Sequence, residues 1–376
     1  MPSATLCPPT SAPFSLRLSD DQRQMLEPVR RYARERLHPL LGDAANERHH
    51  HEARRAAQQL GLAAAVMSER EGGLAITPLD LCLLLEELAG GPLALAAELT
   101  LSLPALAISR HHEWLAKLLP LNAEALLTEQ TALPLAIASP AGEATFVLLP
   151  RQASGLLALT PSSPGNWRLR WLDPEAVKGL LANAHQDHRA EGLRLVRLPP
   201  AEDIHGTGFS SPVTPEACRT MMVWQGLWLA GLLAGAARAA TAFAFSYAQE
   251  RTAFRHPLIH HQAVALKLAD MATACDALRL QVWDVAARLG NGDTLPDGHF
   301  LSMVKQLVSA SMEIHRHAVQ VCGGHGYVEG FPPARRFQDA RLLSLVLLEV
   351  AETLSEVESE VESQGRPEAL KHGSRL

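Results

Sequence analysis

The chain has 376 residues, a net charge of −6 and a pI near 6.3, with 47% hydrophobic and 20% charged residues. That is enough chain for two or three domains with real cores, and so mild an acidic excess argues against a nucleic-acid or anionic-membrane surface. Aromatic residues make up 5%, and alanine and leucine dominate, a mixture that favours helix.

Ser19 and Gln22 fit a capping box. They predict a helix through RQMLEPVRRYARERLHPLL, with Pro28 inside it. ARRAAQQLGLAAAV and TPLDLCLLLEELAG continue the helical texture, separated by a loop that carries Gly72, Gly73 and Pro78. The N-terminal all-α domain is placed at 15–130, after a flexible stretch 1–14. From 131 to 212 the texture changes to a short middle β domain. LPLAIAS, ATFVLLP, GLLALTP, WRLRWL and GLRLVRLPP are short apolar or alternating runs bounded by Pro and Gly, and read as strands. EAVKGLLANAHQDH reads as a helix among them. Ten of the 25 prolines lie between 133 and 215.

After Pro215 the chain is helical again. MMVWQGLWLAGLLAGAARAATAFAFSYA (221–248) holds a single charge, Arg238, and is long enough to cross a membrane. Its Gln225, Arg238 and small residues Gly231, Gly235, Ala236 and Ala239 suit a helix buried in a bundle instead, so no membrane span is expected. Val264, Leu268, Met271, Cys275, Leu278, Val282, Val285 and Leu289 follow in steps of four and three, one apolar stripe that Gly290 and Gly292 stop. Two further helical runs complete four long helices, which predict an antiparallel four-helix bundle over 213–363. The tail 364–376 is polar and reads as flexible. The fold class is therefore mainly α with a small middle β domain.

Five single cysteines (Cys7, Cys82, Cys218, Cys275 and Cys322) form no framework and read as reduced thiols of a cytoplasmic protein. The first residues lack the layout of a signal peptide. No metal site is expected: HHH at 49–51 reads as a solvated run, because consecutive helical residues point about 100° apart, and HEWL at 112–115 lacks the HExxH spacing. GxGxxG, GxxxxGK[ST] and GxSxG are all absent.

Two stretches can carry chemistry. RTAFRHPLIHHQ (251–262) starts where the apolar helix ends, and an arginine there either sits in solvent or grips a phosphate bidentately. QVCGGHGYVEG (320–330) ends another helix in paired glycines, which either cap it or let backbone approach a ligand with no Cβ in the way.

Read together, YAQERTAFRHPLIHHQ (247–262) and QVCGGHGYVEGFPPARRFQDAR (320–341) resemble the acyl-CoA dehydrogenase family, whose patterns run roughly YAxxRxxFGxPLxxxQ and QxxGGxGYxxExPxxRxxRDAR. QLGLAAAVMSEREGGLAITPLDLCLLLEELA (59–89) looks like the family's N-terminal segment. The middle third matches poorly, and the family's flavin loop survives at most as ASPAGEA (138–144). The resemblance implies an N-terminal helical domain, a middle β-barrel or sandwich domain and a C-terminal four-helix bundle. It also implies FAD, a CoA-thioester substrate, an oligomer and an electron-acceptor protein. The cofactor-binding positions it implies are Arg251, Phe254, Gln262, Gln320, Gly323 and Gly324, commonly reaching the FAD of a neighbouring subunit.

The sequence departs from the family where the proton is abstracted. Twenty-four residues past Gly323, the position of the usual glutamate base, stands Leu347. The alternative base position on the preceding long helix falls at Gln225–Gly226. Glu349 is a weak candidate, two residues and about 200° of helix rotation away from Leu347. The Phe-Gly of the first motif has become Phe254–Arg255. The expectation is a subunit of a heteromeric acyl-CoA dehydrogenase acting on lipid- or steroid-derived CoA thioesters, with the base supplied by a partner. Alternatives are a self-sufficient enzyme with a relocated base, a flavin monooxygenase of the same fold, and a structural subunit without catalysis.

Overall fold

The computed structural model describes residues 17–42, 47–109, 132–140, 145–150, 153, 155–163, 165–182, 193–204, 210–328 and 330–365. Its N-terminal part is helical: α1 (Asp20–Tyr32), α2 (Glu47–Ala57), α3 (Leu62–Val66), α4 (Pro78–Leu88), α5 (Leu93–Thr100) and α6 (Leu103–Ser109). Ser19 caps α1 as predicted, its hydroxyl accepting from Gln22 N while the Gln22 side chain accepts from Ser19 N. Thr77 and Asp80 form a second capping box at α4. The helical reading of 110–130 lies outside the described residues, as do the two termini expected to be flexible.

One expectation about α2 is corrected. His50, the middle of the histidine run, is 3% exposed, whereas His49 and His51 are exposed. Helical spacing puts His50 on the same face as Ala53 and Ala57, and that face is packed into the core. No group of three or more metal-ligating side chains is found among the described residues.

The middle part forms two small sheets. β1 (Leu135–Ile137), β3 (Leu156–Ser163), β4 (Asn166–Leu172) and β6 (Ser210–Val213) make one, in the order β1-β3-β4-β6, with β1 parallel to β3 and the other pairs antiparallel. β2 (Phe146–Pro150) and β5 (Leu193–Arg197) pair antiparallel as the other. Val147 and Leu149 of β2, Leu156 and Ala158 of β3, Leu172 of β4 and Val196 of β5 share a core of their own. Alternate residues, Leu148, Leu157, Leu159 and Leu195 among them, belong to the main core. Burial on both faces explains why these strands read as continuous apolar runs. β6, SSPV, was invisible in the sequence because it has no such pattern. Helix α7 (Pro174–Ala182) lies between β4 and β5, where the sequence placed one.

The C-terminal part is the predicted bundle: α8 (Pro215–Glu250), α9 (Gln262–Gly290), α10 (His299–Val321) and α11 (Pro332–Gly365). On α9 the stripe from Leu268 to Val285 is buried, with Val264 and Leu289 partly buried at its ends. Every residue of α8 from Met221 to Ala237 is buried, so this helix is the centre of a protein core, as its glycines and Arg238 suggested.

α4 lies against α8 almost backbone to backbone. A Cβ on Gly235 would come 2.5 Å from Glu86 Cα and 2.6 Å from Glu86 O. Charge then fixes the seam. Glu86 accepts from Arg279 Nε at 2.9 Å and from Trp283 Nε1 at 2.6 Å. Glu87 pairs with Arg30 at 3.1 Å and with Arg238 at 3.0 Å. Burial pushes the Glu86 carboxyl up despite the Arg279 and Arg238 guanidinium groups, while Arg238 and Arg30 hold Glu87 below the usual range even though its burial acts the other way. The two adjacent carboxylates thus bind three helices of two domains.

Gly235→Ala should cost about 1–3 kcal/mol, because the backbone of α4 has to yield. Gly179→Ala, on α7 with nothing among the described residues within 4 Å of the added methyl, should be neutral or slightly stabilising. Chemical denaturation of the two variants measures the difference.

Candidate functional site

Two arms leave the bundle at one end. Arg251 is the C-cap of α8, with extended backbone, and its N–H donates to Tyr247 O. A minimal hairpin follows, β7 (Thr252–Ala253) and β8 (His256–Pro257), closed by Leu258 N donating to Arg251 O at 2.8 Å. Its two turn residues, Phe254 and Arg255, have φ of 49° and 70°. Both lie in the left-handed region that favours glycine, the geometry a two-residue hairpin needs. Phe254 is 90% exposed at the tip, its ring edge near His261. Gln262 then opens α9.

The second arm starts where α10 stops. Cys322 caps it, and Gly323 turns left-handed at φ 58°. Each glycine of this arm has its own reason. A Cβ on Gly326 would strike Val319 O at 2.4 Å, so packing requires glycine there. Gly323 needs its positive φ. Gly324 has no positive φ, and nothing among the described residues comes within 4 Å of where its Cβ would stand.

Tyr247 joins the arms. Its hydroxyl lies 2.8 Å from His325 Nδ1 and 3.4 Å from the Cys322 carbonyl, and Phe243 and Phe331 stack around the pair. Tyr247 opens the first motif, yet the sequence reading gave weight only to the residues after it. Its spacing of four from Arg251 was the available signal. Arg251, Phe254, Gln262, Gln320, Gly323 and Gly324 are thereby brought to one end of the molecule, and all six are exposed. The side chains of Arg251, Gln262 and Gln320 make no hydrogen bond or ion pair among the described residues. A free guanidinium, two free amides, an aromatic ring and bare backbone form a donor set that fits the diphosphate and adenosine of a dinucleotide.

The two base positions look different. Leu347 is 0% exposed, in the middle of α11, which runs without a break from Pro332 to Gly365. A Cβ on Gly226 would meet Phe300 Cζ at 2.5 Å and Val350 Cγ1 at 3.6 Å, so α8, α10 and α11 close on one another there. Gln225 is 5% exposed, and its Oε1 has no hydrogen-bond partner among the described residues. Glu349 points away from this core, towards the β domain. It is partly buried, and its Oε2 accepts from Phe146 N of β2 at 2.8 Å. Burial raises its carboxyl above the usual range and Glu352 adds to the rise, against the Phe146 N–H. Of ASPAGEA (138–144), residues 141–144 lie outside the described residues, and Ser139 N donates to Thr145 Oγ1 at 2.9 Å.

The helical domain, small β domain and four-helix bundle, in this order, are the arrangement that this chain shares with acyl-CoA dehydrogenases. Residues 19–120 match the family model for the acyl-CoA dehydrogenase N-terminal domain, and residues 218–346 the one for the C-terminal domain. The chain belongs to the acyl-CoA dehydrogenase family, whose members are FAD-dependent oxidoreductases. It is 39% identical over 112 residues to the mitochondrial short-chain specific acyl-CoA dehydrogenase of Bos taurus, covering 30% of this chain and 27% of that protein. It is 29% identical over 203 residues to the short-chain specific acyl-CoA dehydrogenase of Megasphaera elsdenii, covering 50% and 51%. The chain thus spans about a quarter to a half of the length of these curated relatives. Among solved structures it is similar to butyryl-CoA dehydrogenase from Megasphaera elsdenii, with a TM-score of 0.71 at 19% identity over 91% of this chain and 98% of that one. PigA with FAD and proline has the same fold, with a TM-score of 0.68 at 16% identity over 94% and 100%.

Leu347→Glu tests whether the position that the resemblance assigns to the base can accept a carboxylate. The substitution puts an unpaired carboxylate into a closed core and should cost about 3–5 kcal/mol, read as a shifted denaturation midpoint or as insoluble protein.

Proposed function

We propose that this chain is a subunit of an acyl-CoA dehydrogenase that lends its two arms to the FAD of a neighbouring subunit, while a partner provides the carboxylate that removes the α-proton of a CoA thioester. The observation that carries this reading is the contrast between the two halves of the site. The side chains of Arg251, Gln262 and Gln320 are exposed and make no hydrogen bond or ion pair among the described residues, whereas Leu347 is sealed in the core on an unbroken helix. FAD, when bound, accepts the hydride from the β-carbon. This chain's part is positioning: Arg251 neutralises the diphosphate, Gln262 and Gln320 hydrogen-bond the adenosine, and Phe254 with the bare Gly323–Gly324 backbone closes over it. Loss of a positioned base costs about 10²–10⁴ in rate, so an isolated chain of this kind dehydrogenates poorly. The names of the curated relatives favour a CoA thioester over other substrates of the fold. An electron-acceptor protein reoxidises the flavin in this reading.

The test is expression of the chain alone and together with relatives encoded beside it, followed by a flavin count per chain and anaerobic bleaching of the flavin by acyl-CoA. Substoichiometric flavin and slow bleaching alone, restored by a partner, are expected. Full loading and fast bleaching by the chain alone would overturn the proposal.

A second reading keeps catalysis in this chain through Glu349. It is supported by that side chain's position at the junction of bundle and β domain and by its raised pKa, both suited to a general base. Glu349→Gln should then abolish acyl-CoA-dependent bleaching; unchanged bleaching excludes Glu349 as the base.

A further inference from the structure

The turn residue after Phe254 is an arginine where the hairpin geometry favours glycine. Arg255 has φ 70°, is exposed, and has no hydrogen bond or ion pair among the described residues. An arginine kept in a left-handed conformation, at a position where glycine would be relaxed, points to a use for its side chain. A second guanidinium stands nearby. Arg251 stands at the base of the same hairpin, four residues back, also exposed and unengaged. His256 and His260 lie on the returning arm with their rings 6.4 Å apart. The nearest carboxylate in the sequence, Glu250, is engaged with the Ser246 hydroxyl at 3.0 Å. At about 3.3 Å of rise per residue, the Arg251 and Arg255 backbones lie on the order of 10 Å apart, a separation that two extended guanidinium side chains can close on one diphosphate.

We propose that Arg255 is a second diphosphate-gripping residue, which supplies the charge that Arg251 alone leaves uncompensated when the hairpin closes over a dinucleotide. This inference rests on the reading that the arms bind FAD, and assigns to them a residue outside the six already named. A diphosphate carries two ionised groups, and two guanidinium groups neutralise it with planar, paired hydrogen bonds. Such an exposed contact is sensitive to ionic strength, because salt screens it within about a Debye length.

The experiment is FAD titration of the full chain in complex with the co-expressed partner that restores its flavin loading, followed by quenching of flavin fluorescence at low salt and at about 0.5 M NaCl. Arg255→Gly should weaken FAD binding about tenfold at low salt and flatten its salt dependence, while Arg255→Lys keeps most of both. Because glycine suits the turn, the flavin-free melting temperature of Arg255→Gly should stay the same or rise, so weaker binding is not a folding defect. Arg251→Ala should weaken binding as well. Arg255→Gly with wild-type affinity and salt dependence, alongside a weakened Arg251→Ala, overturns the role of Arg255 and leaves the proposed function standing. A lower flavin-free melting temperature for Arg255→Gly with unchanged salt dependence overturns it too, by assigning Arg255 a structural role. Wild-type binding in both variants, or no FAD binding by the wild-type chain together with its partner, overturns the proposed function itself.

Discussion

From Met221 to Ala237 every face of helix α8 is covered, so the chain has to supply a wall on each side of it. The other three bundle helices provide part of that wall, and the N-terminal domain provides the rest through α4, α5 and α6. Contact is closest where side chains are smallest: at Gly231 and Gly235 the backbone of α4 replaces what would be a side chain. An approach this close leaves the one cation in the middle of the helix only partly solvated, its side chain 33% exposed. Arg238 is therefore met by Glu87 and by the carbonyl of Glu86, and Glu86 is met in turn by Arg279 and Trp283. Buried ion pairs of this kind add little net stability over apolar packing. Their effect here is to fix the register of two domains, since each carboxylate has to find its own guanidinium.

The ends of the central helix inherit that rigidity. Arg251 stands where α8 stops, and Tyr247, one turn earlier, ties that end to the glycine turn after α10. The two arms are thus held by the core while their own functional groups stay free. The same packing has the opposite consequence deeper in the bundle. Phe300 fills the space that Gly226 leaves, Val350 lies beside it, and Leu347 is sealed in an uninterrupted α11. A core closed this tightly leaves no opening for a carboxylate at that level, and the nearby Glu349 is turned to the β domain instead.

Local features were legible in the sequence. The Ser19 cap, the stripe on α9 and the positions of the five recognised strands follow from short-range patterning, and the structure reproduces them, the strand ends differing by one to three residues. The paired glycines were legible as a turn, but only the surroundings of Gly324 show that no internal contact demands a glycine there. Features that depend on distant partners were not legible. Glu349 looked like a residue on the far side of a helix until its contact with Phe146, 203 residues away in sequence, placed it at a domain junction. His50 was hidden in a run of identical neighbours, because its burial depends on which face of α2 meets the core. The continuity of α11 and the closure around Gly226 are also tertiary facts, set by packing that no single stretch of sequence displays.

The central claim is that these arms serve a dinucleotide bound largely by a neighbouring subunit, in a chain that has given up its own base. A structure of the FAD-loaded oligomer tests it most directly. The account predicts the adenosine diphosphate of a neighbour's FAD against Arg251, Phe254 and Gly324, and the carboxylate nearest the reacting carbon on the other chain. Arms left in solvent, or a carboxylate of this chain in place beside its own flavin, would contradict it.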